Sequence, residues 1–491
     1  MTQVYRIGRN DKVGRFMTTE KDLSVGDTIL TEYPAVIGPK VDSAIICLTC
    51  FTPLTGEVLC SKCSWPVCND TCEKDSLHAE GECPIFATQK IKFQPAEDVT
   101  LSNPQYEAIT PLRALLVRDK NPAKWEEVLQ MESHNDKRKT NEEFWNAEKV
   151  NIVNFIRIRC KMDSYDEDLI HKICGILEVN CYEVRSAEGF MGRGLFTLTA
   201  IMSHNCVANT THSVLPADNY KIIFRSIVDV KKGQELFSSY TFSLHPTLVR
   251  RANLSYSKYF DCDCPRCADP KELGTNMSSL KCTKCEPGLV LSTNPLDAAA
   301  PWKCTDCEFT LSGSQLERIN AVIEKEIESL NHIDPECIIE ESERLLRQYK
   351  SVLHPNHAFL TILKHSLVQF YGRSNGYTYD DLPDILLERK ADLCKQILKV
   401  LDVVEPGKTR MRGLMLFEQH IPQMLFAQSR YRYGELAGKK LKEELEQVRD
   451  ILKEAVDILK LEDPNSPEGS VAVSGMESLK QLEESIKTVK V

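Results

Sequence analysis

Cys47-x2-Cys50, Cys60-x2-Cys63, Cys68-x3-Cys72, His78 and Cys83 crowd into one short stretch of the chain. Seven thiols and one imidazole make eight metal-ligating groups, the number that two tetrahedral Zn²⁺ ions need. Each close pair lets one turn present two thiolates to one ion. The stretch has too few apolar residues to fold alone, and zinc binding at about 10–16 kcal/mol per structural site substitutes for the missing core. Further on, Cys282-x2-Cys285 and Cys304-x2-Cys307 carry zinc-ribbon spacing. Just before them, Cys262-x-Cys264-x2-Cys267 supplies three ligands and needs a fourth from elsewhere. Cys160, Cys174, Cys181, Cys337 and Cys394 stand alone and read as ordinary core or surface thiols.

Metal ligation is also the reading that composition favours. Twenty cysteines in 491 residues fall short of a secreted disulfide scaffold. Arg6, Arg9 and Lys12 interrupt the N-terminus where an export signal needs its apolar core. The expected compartment is therefore the cytoplasm or nucleus, where thiols stay reduced and clustered cysteines bind metal. No run approaches the ~18 apolar residues of a membrane span. At 42% hydrophobic and 27% charged, the chain has the composition of a globular protein, and a net charge of −10 argues against direct nucleic-acid binding.

The elements around these clusters differ in texture. Residues 1–41 read as strands and turns, with Thr28-Ile29-Leu30-Thr31-Glu32-Tyr33 following the turn residues Gly26-Asp27. After the cysteine-rich segment at 42–90, residues 91–178 turn helical, with Leu112, Leu115 and Leu116, then Trp125, Val128 and Leu129, at helical spacing. Strand texture returns over 179–258, most clearly at Tyr220 to Val228. A β pattern that stops and resumes predicts one β domain interrupted by insertions. The second cysteine-rich segment occupies 259–312, and 313–491 is helical. Ser314-x-x-Glu317 suggests a capping box, and Leu441, Leu445, Val448, Leu452, Ala455 and Leu459 form an apolar stripe. Pro464 to Gly469 breaks that helix, and Met476, Leu479, Leu482, Ile486 and Val489 stripe another.

The first cysteine segment resembles a MYND zinc finger, in which the pairs interleave. That resemblance implies Cys47, Cys50, Cys68 and Cys72 on one ion and Cys60, Cys63, His78 and Cys83 on the other. A finger inserted into an interrupted β domain, followed by Cys-x-Cys-x2-Cys, resembles the SET-and-MYND (Smyd) family of protein-lysine methyltransferases. The helical insert, the ribbon and Met131-Glu132-Ser133-His134-Asn135 look most like its arthropod SmydA branch. The fold so implied is α+β: a split β-rich SET domain with inserted finger and helical insert, a post-SET zinc region, and an all-α tetratricopeptide-like C-terminal array.

By the same resemblance, Gly14-Arg15-Phe16 occupies the family's Gly-x-Gly turn against the methionyl group of S-adenosylmethionine. Ser203-His204-Asn205-Cys206 stands where the family has Asn-His-Ser-Cys, which makes Cys206 the fourth ligand beside Cys262, Cys264 and Cys267. With Cys282, Cys285, Cys304 and Cys307 the total is about four Zn²⁺ per chain. Tyr240 matches the active-site tyrosine, and Tyr182 an aromatic wall of the lysine channel. Gly14, Arg15, His134, Asn180, Ser203, His204 and Phe260 match cofactor-facing positions. Methyl transfer from a sulfonium to an amine is an in-line displacement, so the site must align the reactants and exclude water. A dry aromatic channel favours the neutral amine that attacks, and a tyrosine hydroxyl can orient it.

Two functions are implied. One is an S-adenosylmethionine-dependent protein-lysine N-methyltransferase acting on a histone or another protein. The other is an adaptor with weak or lost catalysis, binding partner proteins such as corepressors through the finger and the C-terminal helices. Tyr240 and His204 point to the enzyme. Phe16, standing for a second Gly, and Ser203, standing for Asn, point to the adaptor. Gly189-x2-Gly192-x-Gly194 lacks a dinucleotide-site context and reads as turn glycine, and His354-Pro355-Asn356-His357 reads as a helix-entry turn. Lys137-Arg138-Lys139 is too short for a nuclear signal.

Overall fold

The computed structural model describes residues 4–94, 98 and 101–490. Residues 95–97, 99 and 100, where the sequence places the onset of helical texture, lie outside that range. Four N-terminal strands come first: β1 (Tyr5–Asn10), β2 (Gly14–Thr19), β3 (Thr28–Glu32) and β4 (Val36–Gly38). Beyond the insertions follow β5 (Tyr182–Arg185), β6 (Met191–Leu195), β7 (Ser203–His204), β8 (Thr210–Leu215), β9 (Lys221–Ser226) and β10 (Phe237–Ser238).

Pairing joins the two sets. β3 runs antiparallel to β9, β4 antiparallel to β6, and β1 pairs with β2. The strands before and after the insertions therefore make one β unit. β9 alternates buried and half-buried residues, so Ile222 and Phe224 point into the core that Ile29 and Leu30 of β3 also enter. Of the three glycines at 189–194, only Gly189 is a turn glycine, with φ of +90°. Gly192 lies within β6, and a Cβ there would stand 2.6 Å from the ring of Phe51, so glycine lets the cysteine-rich segment seat on the strand.

That segment and the helical insert share the core of the β unit. Trp65 stacks on Phe86 with ring centroids 4.7 Å apart, and both are fully buried beside Tyr106 and the helix Ile109–Lys120. The insert ends in the helix Glu167–Asn180, whose Asp166 cap accepts from the Leu169 N–H at 2.7 Å. Gly175 on this helix lets the Ser133–Asn135 loop lie directly on it, since a Cβ would stand 2.5 Å from the Ser133 carbonyl oxygen.

The C-terminal part is helical from Gly313 onward, ending in the helices Asp384–Val404, Arg410–Arg432, Gly438–Leu459 and Pro467–Thr488, each packed on the next. The first helix is capped by Ser312 rather than Ser314. The Ser312 Oγ accepts from the Gln315 N–H at 3.2 Å, and Gln315 Oε1 accepts from the Ser312 N–H at 2.8 Å. Ser312 has extended backbone and the first side chain able to turn back on the helix, while Ser314 already lies inside it. The 441–459 stripe is buried as its spacing predicts. The preceding helix ends at Leu459, before Pro464, as expected, and Pro467 opens the last helix, whose inward face is Ala472, Gly475, Leu482 and Ile486, with Met476 exposed. Glycine at 475 lets the backbone approach Val456, which a Cβ would meet at 2.7 Å.

The small sheet β11 (Leu280–Lys281), β12 (Leu289–Ser292), β13 (Trp302–Cys304) and β14 (Thr310–Leu311) packs Leu280, Val290 and Trp302 into the helical core. The helices return to the β unit through the turn before Arg410. Gly407, at φ +83°, brings its backbone against the Ile227 carbonyl, which accepts from the Lys408 N–H at 3.0 Å. Among the described residues no helix is long and apolar enough to cross a membrane.

Candidate active site and metal centres

Four groups of ligand atoms converge, each within 4.8 Å: Cys47, Cys50, Cys68 and Cys72; Cys60, Cys63, His78 and Cys83; Cys206, Cys262, Cys264 and Cys267; and Cys282, Cys285, Cys304 and Cys307. Thiolates and one imidazole in sets of four suit tetrahedral zinc, with no open position for substrate. These are structural sites by their chemistry.

Sequence reasoning missed the groups behind the ligands. The His78 Nδ1 lies 2.7 Å from Glu82 Oε1, and Arg113 Nε donates to Glu82 Oε2 at 2.6 Å. All three side chains are buried. Glu82 thus holds Nδ1 protonated and turns Nε2 toward Cys63, 3.6 Å away. Its place four residues after His78 on a helical stretch was a readable signal. Glu82→Gln should weaken zinc retention at this site about 10- to 100-fold, measured by competition with a chromophoric chelator, and leave the other three sites loaded. Retention equal to wild type would show that the carboxylate is not orienting His78.

Behind the third cluster, Arg250 Nε donates to Cys206 Sγ at 3.3 Å and a second nitrogen donates to Cys267 Sγ at 3.6 Å. Arg250 also pairs with Glu272 at 2.8 Å, and Glu272 with Arg266 at 3.0 Å. Two cations against one carboxylate leave net positive charge under a cluster of four thiolates, which offsets their mutual repulsion. Nothing in the spacing of these residues signals the contact.

The nine residues that sequence placed around a cofactor and an acceptor lysine all line one cavity of about 1510 Å³. Each comes from a different local device. Gly14 opens β2 at φ +70°, with nothing within 4 Å of where a Cβ would stand. Arg15 follows it and donates to the Gln130 carbonyl at 3.2 Å. His134 takes a left-handed backbone at φ +49°, and its N–H donates to Glu132 at 2.9 Å. Asn180 ends its helix and spends both amide hydrogens on the carbonyls of Glu132 and Ile176, at 2.9 and 2.8 Å. What it offers a ligand is therefore its carbonyl oxygen. Phe16 lines no part of the cavity: its ring lies over Gly8, its partner on β1. Strand alternation sends Arg15 to one side and Phe16 to the other.

The two tyrosines are fixed by one turn. The Tyr182 hydroxyl donates to the Thr199 carbonyl at 3.0 Å, and the Tyr240 hydroxyl donates to the Met202 carbonyl. That turn is held by buried Glu32 of β3, whose carboxylate accepts from the N–H groups of Leu198 and Thr199 at 3.0 and 2.8 Å. Burial pushes both phenols above their ordinary value, so both stay protonated. With each hydrogen committed to a carbonyl, both oxygens keep lone pairs free to accept. They can accept from an amine N–H and cannot protonate it.

His204 bridges the Cys206 thiol and the backbone of Tyr240. Its Nδ1 accepts from the Tyr240 N–H at 3.0 Å, so Nε2 carries the hydrogen and faces Cys206 Sγ at 3.3 Å. Both ring nitrogens are engaged within the protein. Toward a ligand, His204 presents its backbone and ring face, the ring lying 5.9 Å from that of Phe260. Cys206→Ala should therefore lower zinc content by one ion per chain and also weaken binding of S-adenosylhomocysteine, checked by elemental analysis and calorimetry. Full zinc content in the variant would place the fourth ligand elsewhere.

A SET-domain model matches residues 14–241, the span that holds β2 through Tyr240. That span is similar to a SET domain. Among curated proteins it is 29% identical over 314 residues to the SET domain-containing protein SmydA-8, isoform A, of Drosophila melanogaster, covering 62% of this chain and 65% of that one. It is 26% identical to N-lysine methyltransferase SMYD2-B of Danio rerio, covering 52% and 58%. It is 23% identical to histone-lysine N-methyltransferase ASHR1 of Arabidopsis thaliana, covering 83% and 84%. The resemblance to the Smyd family stands, and the chain spans just under two thirds of the length of its SmydA-8 relative. The solved SET domain of LSMT bound to lysine and AdoHcy aligns at 12% identity with a TM-score of 0.26, covering 99% of this chain and 87% of that one, a likeness too weak to carry an argument.

The donors around the SET-domain cavity fit a sulfonium nucleoside. The Ser203 hydroxyl is buried and finds no hydrogen-bond partner among the described residues. An orphaned buried hydroxyl costs free energy unless a ligand satisfies it. Arg15 complements a carboxylate, the Asn180 oxygen complements an ammonium, and Phe260 offers a ring face. Together they match an amino-acid zwitterion joined to an aromatic base.

Proposed function

We propose that this protein is a protein-lysine N-methyltransferase that uses S-adenosylmethionine. The observation that carries the reading is the shared cavity: Gly14, Arg15, His134, Asn180, Tyr182, Ser203, His204, Tyr240 and Phe260 line it together, though they are scattered over more than 240 residues. When bound, the cofactor supplies an electrophilic methyl group on a positively charged sulfur. Gly14, Arg15, Asn180, Ser203 and Phe260 are the residues that would hold it.

Tyr240 and Tyr182 handle the acceptor. Their lone pairs take N–H groups of a neutral lysine amine, which turns its own lone pair toward the methyl group. With the cofactor held by those residues, the amine so oriented would accept its methyl group, and the C–S bond electrons would remain with the departing thioether. Positive charge ends on the methylated nitrogen, which releases its proton to solvent. No acid or base group is needed at the moment of transfer.

Of the two reasons for an adaptor without catalysis, Phe16 turns its ring clear of the cavity, though its backbone lacks the freedom of a second glycine. The other, Ser203, keeps its unpaired hydroxyl at the site. The same proposal includes a cytoplasmic or nuclear location, about four bound zinc ions, and protein partners docking on the MYND-like finger and a tetratricopeptide-like helical array. The convergent cysteine sets and the consecutive helix packing support it. Calorimetric titration with S-adenosylhomocysteine, followed by labelled methyl transfer to a cell extract, tests it. Binding with transfer is expected, and absence of both would overturn the reading.

A further inference from the structure

Lys258 belongs to no motif, yet it lines the same cavity as Tyr240. It is the last residue of the helix Thr247–Lys258. Its ammonium donates to the Val179 carbonyl at 2.6 Å and stands 5.9 Å from the centroid of the Tyr240 ring. Val179 lies in the last turn of the helix Glu167–Asn180, where the dipole favours a cation, and an aromatic face favours one too. The charge is therefore held in place at the wall of the cavity.

No carboxylate neutralises it at close range. Glu178, on the facing helix, is taken by Arg138 at 2.8 Å and by the Tyr259 hydroxyl at 2.8 Å. Cys181 follows that helix, and its thiol is pushed up to about 11 by burial, so it is neutral near pH 7. On the next residue of its own segment, the Tyr259 carbonyl accepts from Lys137 at 2.6 Å, and the Tyr259 ring lies 5.4 Å from that of His134. Tyr240, whose ring the ammonium faces, is a protonated phenol. Burial draws Lys258 below its ordinary value, against the pull of Glu178. Among the described residues, no ion pair to Lys258 forms.

Resting on the methyltransferase reading, we infer that Lys258 is a specificity-determining residue of the acceptor channel: its fixed positive charge disfavours an ammonium beside Tyr240 and so admits the acceptor lysine as its neutral amine. A like charge several ångströms away in a half-buried site lowers an amine's apparent pKa by about one unit. The same charge repels the methylated ammonium product and so favours its departure. An aromatic channel alone achieves neutrality only by desolvation; here the Lys258 ammonium, tied to the Val179 carbonyl, adds to it.

The test uses full-length, zinc-loaded protein as wild type, Lys258→Met and Lys258→Arg. Labelled transfer to cell-extract proteins is followed against pH. In Lys258→Met the rising limb of the profile should move up by about one unit, making transfer about tenfold slower below the limb and equal above it. Lys258→Arg should keep the wild-type limb, because the charge remains. A second readout needs no turnover. S-adenosylmethionine and S-adenosylhomocysteine differ by one positive charge, and calorimetry should show their affinity ratio shifting several-fold toward the former in Lys258→Met. An unmoved limb with an unchanged ratio overturns the inference alone, as does an Arg variant that behaves like Met, since that marks a purely structural tie to Val179. Wild type that binds neither nucleoside overturns the methyltransferase reading, and the inference with it.

Discussion

Tyr240→Phe should slow methyl transfer about 10- to 1000-fold, roughly 1.4–4 kcal/mol of transition-state stabilisation, while cofactor affinity changes little. The variant deletes one oxygen and keeps the ring that packs beside His204, 5.2 Å away. What is lost is a lone pair free to accept and the hydrogen bond to the Met202 carbonyl. The second loss carries a stability cost of about 1–3 kcal/mol for an unsatisfied buried acceptor. Thermal melting measures that cost separately from labelled transfer. Transfer equal to wild type would remove Tyr240 from the acceptor's surroundings and leave Tyr182 as the orienting phenol.

Stripping zinc should cost more. At about 10–16 kcal/mol per structural site, loss of metal exceeds the entire stability of most domains. The expected order follows from what each site holds up. The cysteine-rich segment at 42–90 places Cys47, Cys60, Cys63 and Cys83 within the main core, so its collapse exposes Trp65 and Phe86. The third cluster carries Cys206, and with it His204 and the backbone of Tyr240. A strong chelator should therefore abolish S-adenosylhomocysteine binding before the far-ultraviolet helical signal falls, because the last four helices pack on one another through leucine, valine and isoleucine. Metal analysis of protein purified without chelator should approach four zinc per chain. A value near two would mean that one cysteine-rich segment holds none.

Much of this was legible because covalent spacing constrains it. Two cysteines separated by two residues can meet one ion whatever surrounds them, so the close pairs could be written from the chain, while their interleaving and the role of Cys206 came from the family resemblance. Amphipathic period is equally local: the stripe from Leu441 to Leu459 is buried where its spacing places it. The interrupted strand texture also sufficed to expect that the early strands join those after the insertions, as β3 joins β9 and β4 joins β6. Local reading erred by small offsets where two residues compete for one role. Ser312 and Ser314 can both cap a helix, and only backbone geometry chooses between them.

Tertiary structure decided what lies behind and between those signals. Glu32 and the turn it holds are more than 160 residues apart, yet that carboxylate sets the two carbonyls on which both tyrosine hydroxyls hang. Glu82, Arg250 and Lys258 act through space on atoms contributed by other elements, so neither period nor spacing reports them. The direction a side chain takes is likewise beyond composition: Phe16 reads in the chain as the loss of a second glycine, and strand alternation turns its ring onto Gly8, clear of the cavity. Residue types and spacings determined which chemistries this chain can hold, because ligation and amphipathicity are local. Which charges stand beside the reacting atoms was decided by packing, because electrostatics depends on distance through the fold and not along the sequence.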